Sequence, residues 1–253
     1  MRILEDIKYG SEEQHLLDCY YPETKEFDVL IWFHGGGLES GNRKDIRFVE
    51  DLLNEGIAVV SVEYRMYPTA VFPEFIEDCA TAVKYVLENI ATREGSKRVF
   101  VSGQSAGAYI TMMLALNEEY LHKAGVDRSR ISGFISDSAQ VTTHFNVLRE
   151  RGFDTRVERI DDAAPMYYIS EKFTGNLLMI YYEDDMPCRP EQNRLFYKSL
   201  QRFCPNHNIQ IVELSGEHCN GSSNRNNDGM FDFNVELVKF INTIKGMGGK
   251  END

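Results

Sequence analysis

Short, largely apolar stretches recur along the chain at Val29–Phe33, Ile57–Val62, Arg98–Ser102, Ile131–Ser136, Leu177–Tyr182 and Ile209–Leu214. Their apolar residues run on without alternating, which suits strands covered on both faces, as in a parallel sheet flanked by helices. Helical spacing fills the intervals. Phe75, Ile76, Cys79, Val83, Val86, Leu87 and Ile90 fall on one stripe, with Pro73 near its start. Ala106 to Asn117 is rich in Ala, Met and Leu; Pro190 opens a second helical pattern through Leu200, and Asp228 to Ile244 makes a third. The segment from Ile7 to Tyr21 alternates weakly and reads as an antiparallel hairpin at the sheet edge. Repeated βα units predict an α/β fold with one open, mostly parallel, twisted sheet. Residues 1–253 are expected to form a single domain, ending in a polar tail over 248–253.

Residues 141–165 break the βα rhythm. Arg149, Arg151, Arg156 and Arg159 are interleaved there with Glu150, Asp154, Glu158, Asp161 and Asp162. Inserted at a sheet rim, this segment reads as a lid, as one side of a substrate pocket, or as a solvated excursion.

Ligands of such sheets bind beyond the carboxyl ends of the strands, and several polar residues fall just after predicted strands. Gly103-Gln104-Ser105-Ala106-Gly107 joins a strand to a helix, in a turn so tight that the serine's neighbours need almost no side chain. Ser105 is therefore the candidate nucleophile. A serine hydroxyl needs a base within hydrogen-bond reach and a third group to orient that base. His218 follows the last strand in a loop of small residues and is the expected base. His207 precedes that strand at the opposite rim, and His34 reads as a prop for the glycines after it. Glu183, Asp184 and Asp185 follow one strand and Asp137 the preceding one; Asp185 is the preferred acid and Asp137 its rival. Gly36 and Gly37, after His34-Gly35, offer main-chain donors to an oxyanion, and the Ala106 amide at a helix start offers another. Cys188 and Cys219 flank the candidate acid and base.

Charge and cysteine content narrow the partners. The net charge is −13, with no run of Lys or Arg, so nucleic acid and anionic membranes are unsuited. No apolar run reaches membrane-spanning length, and the first residues are too polar for a signal peptide. The five cysteines have no paired spacing, which together with the polar start predicts reduced thiols in a cytoplasmic protein. Nothing in the sequence sets an oligomeric state, and the chemistry calls for neither a metal nor an organic cofactor.

His34-Gly-Gly-Gly37 together with Gly103-Gln-Ser-Ala-Gly107 resembles the α/β-hydrolase superfamily, in particular its HGGG-type carboxylesterases of the hormone-sensitive-lipase-like and acetyl- or feruloyl-esterase-like groups. Trp32-Phe33, Glu63-Tyr64-Arg65, Phe72-Pro73, Asp185-Met-Pro-Cys-Arg-Pro190 and Gly216-Glu217-His218 match further blocks, over residues 5–245. The register of the acid loop selects Asp185 over Asp184. Glu63 stands where the family commonly has Asp, and the chain lacks a long N-terminal helical cap, as in the smaller members. The resemblance implies a serine esterase acting on small or short-chain acyl esters, acetylated sugars among them. An amidase, peptidase or thioesterase would use the same machinery, and a non-catalytic binding module is the reading from another class.

Overall fold

The computed structural model describes residues 1–171, 173–204 and 207–248. Eight strands form one sheet: β1 (Arg2–Lys8), β2 (Leu16–Tyr21), β3 (Phe27–Phe33), β4 (Ile57–Val62), β5 (Ser96–Gln104), β6 (Gly133–Asp137), β7 (Leu177–Asp184) and β8 (Ile209–Glu217). Their order is β1-β2-β4-β3-β5-β6-β7-β8. The β1–β2 and β2–β4 pairs are antiparallel and all the others parallel, so the expected hairpin does occupy an edge. It begins earlier than the alternation suggested, at Arg2.

The helices are α1 (Val49–Asn54), α2 (Glu74–Asn89), α3 (Ala106–Leu116), α4 (Glu118–Lys123), α5 (Phe145–Glu150), α6 (Arg189–Phe203) and α7 (Asp232–Gly248). All seven residues of β3 are buried, and their burial is shared between the two faces. Val29, Ile31 and Phe33 pack in the cluster that includes Val83 and Val86 of α2, Ile110 of α3, Leu121 of α4 and Phe196 of α6. Leu30 and Trp32 face Leu52 of α1 and Phe233 and Leu237 of α7. A strand sandwiched in this way cannot alternate apolar with polar residues, which is why the apolar runs are continuous.

Two differences from the sequence reading have local causes. The last helix starts at Asp232 rather than Asp228. Gly229 ahead of it has φ +82°, which a helix cannot accommodate, and Arg225 and Phe231 pair there as an isolated bridge. The short helices α1, α4 and α5 span six residues each, under two turns, too few to establish a 3.6-residue period. The tail read at 248–253 lies, Gly248 apart, outside the described residues. Among those described, no helix is long and apolar enough to cross a membrane.

Candidate active site

At the carboxyl end of β5 the chain turns directly into α3, and Ser105 sits at the turn with φ +54° and ψ −113°. The neighbouring glycines are required by backbone approach. A Cβ on Gly103 would stand 2.3 Å from the Gly107 carbonyl, and one on Gly107 would stand 2.1 Å from the Phe33 oxygen. The Ser105 N–H donates to the Asp137 carbonyl at 2.7 Å, tying the elbow to β6. This leaves the Ser105 hydroxyl free to face the loop after β8.

His218 lies on that loop. Its Nε2 is 2.8 Å from Ser105 Oγ, and its Nδ1 is 2.5 Å from Asp185 Oδ1. Asp185 follows β7, and its side chain has no exposed surface; the same Oδ1 accepts the Met186 N–H at 2.7 Å. Burial pushes the Asp185 carboxyl up, but the hydrogen bond and charge of His218 outweigh it and hold the group below the usual carboxylate range. Glu183 and Asp184, the other acids of this run, are exposed. No hydrogen bond joins Asp137 to His218: its carboxylate accepts from Tyr182 Oη at 2.9 Å and Gln104 Nε2 at 3.1 Å instead. His207, before β8, packs edge-on to Phe173 with ring centroids 5.8 Å apart.

The glycine loop forms the opposite wall of the cavity, which has a volume of about 560 Å³ and is lined in part by Gly36, Gly37, Ser105, Phe145, Met186 and His218. Gly36 and Gly37 have φ +112° and +67°, so the loop turns back with its amides free of other acceptors among the described residues. The Ala106 amide, at the first position of α3, is likewise unengaged. Anions are favoured at such a helix start. His34 braces the loop from beneath: it is buried, stacks on Tyr64 at 4.4 Å, and points its ring nitrogens at the Gly35 carbonyl (2.7 Å) and the Glu63 carboxylate (3.2 Å). Glu63 also meets the Arg43 N–H at 3.1 Å. Its position is thus structural, and the Glu-for-Asp difference leaves the cavity untouched.

Residues 141–165 lie against this loop. Phe145 enters the cavity, and Asn146 Nδ2 donates to the Gly37 carbonyl at 2.9 Å. The segment is tied further by Thr143 N–H to the Arg159 carbonyl (2.7 Å), by Phe72 N–H to Glu150 (3.0 Å) and by an ion pair of Arg149 with Glu39. A second lobe of about 300 Å³ opens past His218, lined by Asp45, Arg47, Asn220 and Ser222. Cys219 borders both lobes, whereas Cys188 is exposed; all five cysteines are free. Gln104, Asp45, Phe145 and Met186 were not singled out from the sequence. Gln104, inside the elbow motif, and Met186, beside Asp185 in the acid-loop block, carried signals that could have marked them. Among the described residues, no cluster of three His, Cys, Asp or Glu side chains is placed to hold a metal ion.

Known proteins share this framework. Esterase B from Lactobacillus rhamnosis superposes with a TM-score of 0.78 over 100% of this chain and 89% of its own, at 15% identity. A truncated carbohydrate esterase from gut microbiota gives 0.75 over 96% of each chain, at 17% identity. The fold is therefore that of the α/β hydrolases. In sequence, the chain is 27% identical over 150 residues to a probable isoprenylcysteine alpha-carbonyl methylesterase of Oryza sativa subsp. japonica, covering 58% of this chain and 34% of that protein. It spans roughly a third of the length of the curated relatives it matches. A family model, BD-FAE, matches residues 17–148, from β2 through the glycine loop and the elbow into α5. That span is more than half of the chain and includes Ser105 and the glycine loop, so the protein belongs to the BD-FAE family.

Proposed function

We propose that the protein is a serine carboxylesterase that hydrolyses short-chain acyl esters. The observation that carries this reading is the unbroken hydrogen-bonded line from Asp185 through His218 to Ser105, beside the unengaged amides of Gly36, Gly37 and Ala106. Ser105 Oγ attacks the ester carbonyl while His218 Nε2 takes its proton. Asp185 keeps the imidazole in the required orientation and stabilises its charged form. The carbonyl oxygen becomes an oxyanion facing the Gly36, Gly37 and Ala106 amides, each such donor being worth about 2.7–4 kcal/mol. His218 then gives its proton to the departing alcohol, leaving an acyl-Ser105 ester. Water, deprotonated by His218, attacks that ester; the acyl–Oγ bond breaks, His218 returns the proton to Ser105 Oγ, and the acid is released.

The two lobes suit different halves of the substrate. The larger lobe, bounded by Phe145 and Met186, takes a short acyl group. The polar lobe of Asp45, Arg47, Asn220 and Ser222 suits a hydroxylated alcohol, an acetylated sugar among them. The five free thiols suit a reducing compartment such as the cytoplasm. The test is hydrolysis of p-nitrophenyl acetate by Ser105→Ala, with a fluorophosphonate probe alongside. The rate is expected to fall by about 10⁴-fold or more and labelling to vanish. Activity that survives this substitution rejects the reading. Matched ester, thioester and anilide substrates separate an esterase from an amidase or thioesterase.

A further inference from the structure

Asp137 is wholly buried at the end of β6 and takes no direct part in the acyl transfer, yet it touches both halves of the machinery. Its carbonyl accepts the Ser105 N–H at 2.7 Å. Its carboxylate reaches the histidine loop by two routes. Oδ1 accepts from Tyr182 Oη (2.9 Å), which itself accepts the Gly221 N–H at 2.9 Å. Oδ2 accepts from Gln104 Nε2 (3.1 Å), which also meets Ser222 Oγ at 2.7 Å, and Ser222 donates in turn to the Cys219 carbonyl at 2.9 Å. Both routes end within four residues of His218. Gly221 is packed so closely on the phenol that a Cβ there would stand 2.4 Å from Tyr182 Oη.

An ionised carboxylate accepts at both oxygens and so satisfies Tyr182 and Gln104 together. A protonated acid or an amide presents a donor at one of them. Facing Gln104 Nε2 it meets another donor and breaks that link; facing Tyr182 Oη it turns the phenol into an acceptor and leaves the phenol O–H without its carboxylate. We propose that Asp137 is a positioning residue whose ionised carboxylate clamps the histidine loop to the nucleophile elbow and so keeps His218 Nε2 on Ser105 Oγ. The proposal rests on the Ser105–His218–Asp185 reading above. The charged and titratable groups around it are Tyr182 on β7, Asp185 beyond β7, and His218 and Cys219 on the loop; Arg189 of α6 acts on Asp185 and Cys219. Burial pushes the Tyr182 and Cys219 protons well up, so both stay neutral. Burial also pushes Asp137 up to about 6, the bonds from Tyr182 and Gln104 and the His218 charge opposing it and Asp185 adding to it. The clamp therefore releases as pH falls through that region.

The experiment measures kcat and KM for p-nitrophenyl acetate between about pH 5 and pH 9 in the wild type, Asp137→Asn, Tyr182→Phe and Ser105→Ala. Asp137→Asn is expected to lose at least about tenfold in kcat, with KM within about twofold. Its acid limb should fall with one proton where the wild type falls with two. Tyr182→Phe, which keeps the carboxylate but cuts one route, should lose kcat in the same way and decides the question should Asp137→Asn not fold. Wild-type kcat in Asp137→Asn with the two-proton limb retained overturns the proposal, as does a loss confined to KM. Activity in Ser105→Ala would instead reject the catalytic reading, so the two failures are distinguishable.

Discussion

Replacing Gly36 by alanine puts a number on the oxyanion loop. At φ +112° a side chain is strained whatever the space around it, at a cost of about 1–3 kcal/mol. The new Cβ would also stand 2.0 Å from the Ser40 oxygen and 2.5 Å from its carbonyl carbon. Relief requires a shift of more than about 1 Å, because non-bonded carbon contacts settle near 3.5–4.0 Å. The backbone there cannot shift without disturbing the turn in which Gly36 O accepts from Ser40 N (3.0 Å) and Ser40 Oγ (2.9 Å), and the Gly36–Gly37 amides move with it. Loss of one oxyanion donor costs about 2.7–4 kcal/mol, or 10²–10³ in kcat. Gly152→Ala is the matched control: φ there is +75°, but nothing lies within 4 Å of the added atom, so it bears backbone strain of about 1–2 kcal/mol without a clash. The assay is kcat and KM on p-nitrophenyl acetate, with thermal melting of both variants. Gly36→Ala should lose kcat by about 10² or more at nearly constant KM, while Gly152→Ala loses only stability. Equal kcat in the two variants would refute the assignment of Gly36 and Gly37 as donors.

Two further outcomes concern stability. Arg43 Nε lies 3.0 Å from the fully buried Asp18 carboxylate, and the same guanidinium reaches Asp6 and Glu63. Arg43→Ala leaves Asp18 buried without its counter-charge, a loss of about 3–5 kcal/mol, so melting should drop by roughly 6–20 °C; a drop below about 2 °C would show that Asp18 finds other compensation. Asp137 is raised in the folded state to about 6, against an ordinary value of about 3.9. The native state therefore holds this proton more tightly, and the stability it contributes is complete below about pH 4 and lost as pH rises through 6. Asp137→Asn, which cannot ionise, should gain on the wild type by up to about 3 kcal/mol between pH 4 and neutrality. Urea titrations across that range check it, and a pH-independent difference would contradict it.

What could be read in advance follows from how far apart the interacting groups lie in the chain. Strands buried on both faces advertise themselves as runs, and Ile57–Val62 has the same bounds in the sequence and in the structure. Ser105, His218 and Asp185 each sit just past such a run, so knowing the strand ends was enough to bring them to one rim. Other parts depend on contacts that no local pattern encodes. Asn146 meets Gly37 across 109 positions, and Tyr182 meets Asp137 across 45. Asp137 itself was legible only as a carboxylate in the right neighbourhood; its hydrogen-bond partners, Tyr182 and Gln104 rather than His218, set it apart from Asp185. Phe145 lies at the start of a helix too short to have a period, inside a segment whose charges drew attention away from it.

The hydrogen bond from Asn146 to Gly37 fixes more than a turn. In the proposed esterase it joins the wall that carries Phe145 to the loop that would receive the reacting carbonyl, so this contact couples the width of the acyl lobe to the placement of the oxyanion. A substrate meets that width already formed and spends no ordering free energy creating it. Acyl chain length would then be discriminated at encounter, by whether the acyl group fits beside Phe145. Substitutions within 141–165 can retune that preference while the elbow and its histidine stay as they are.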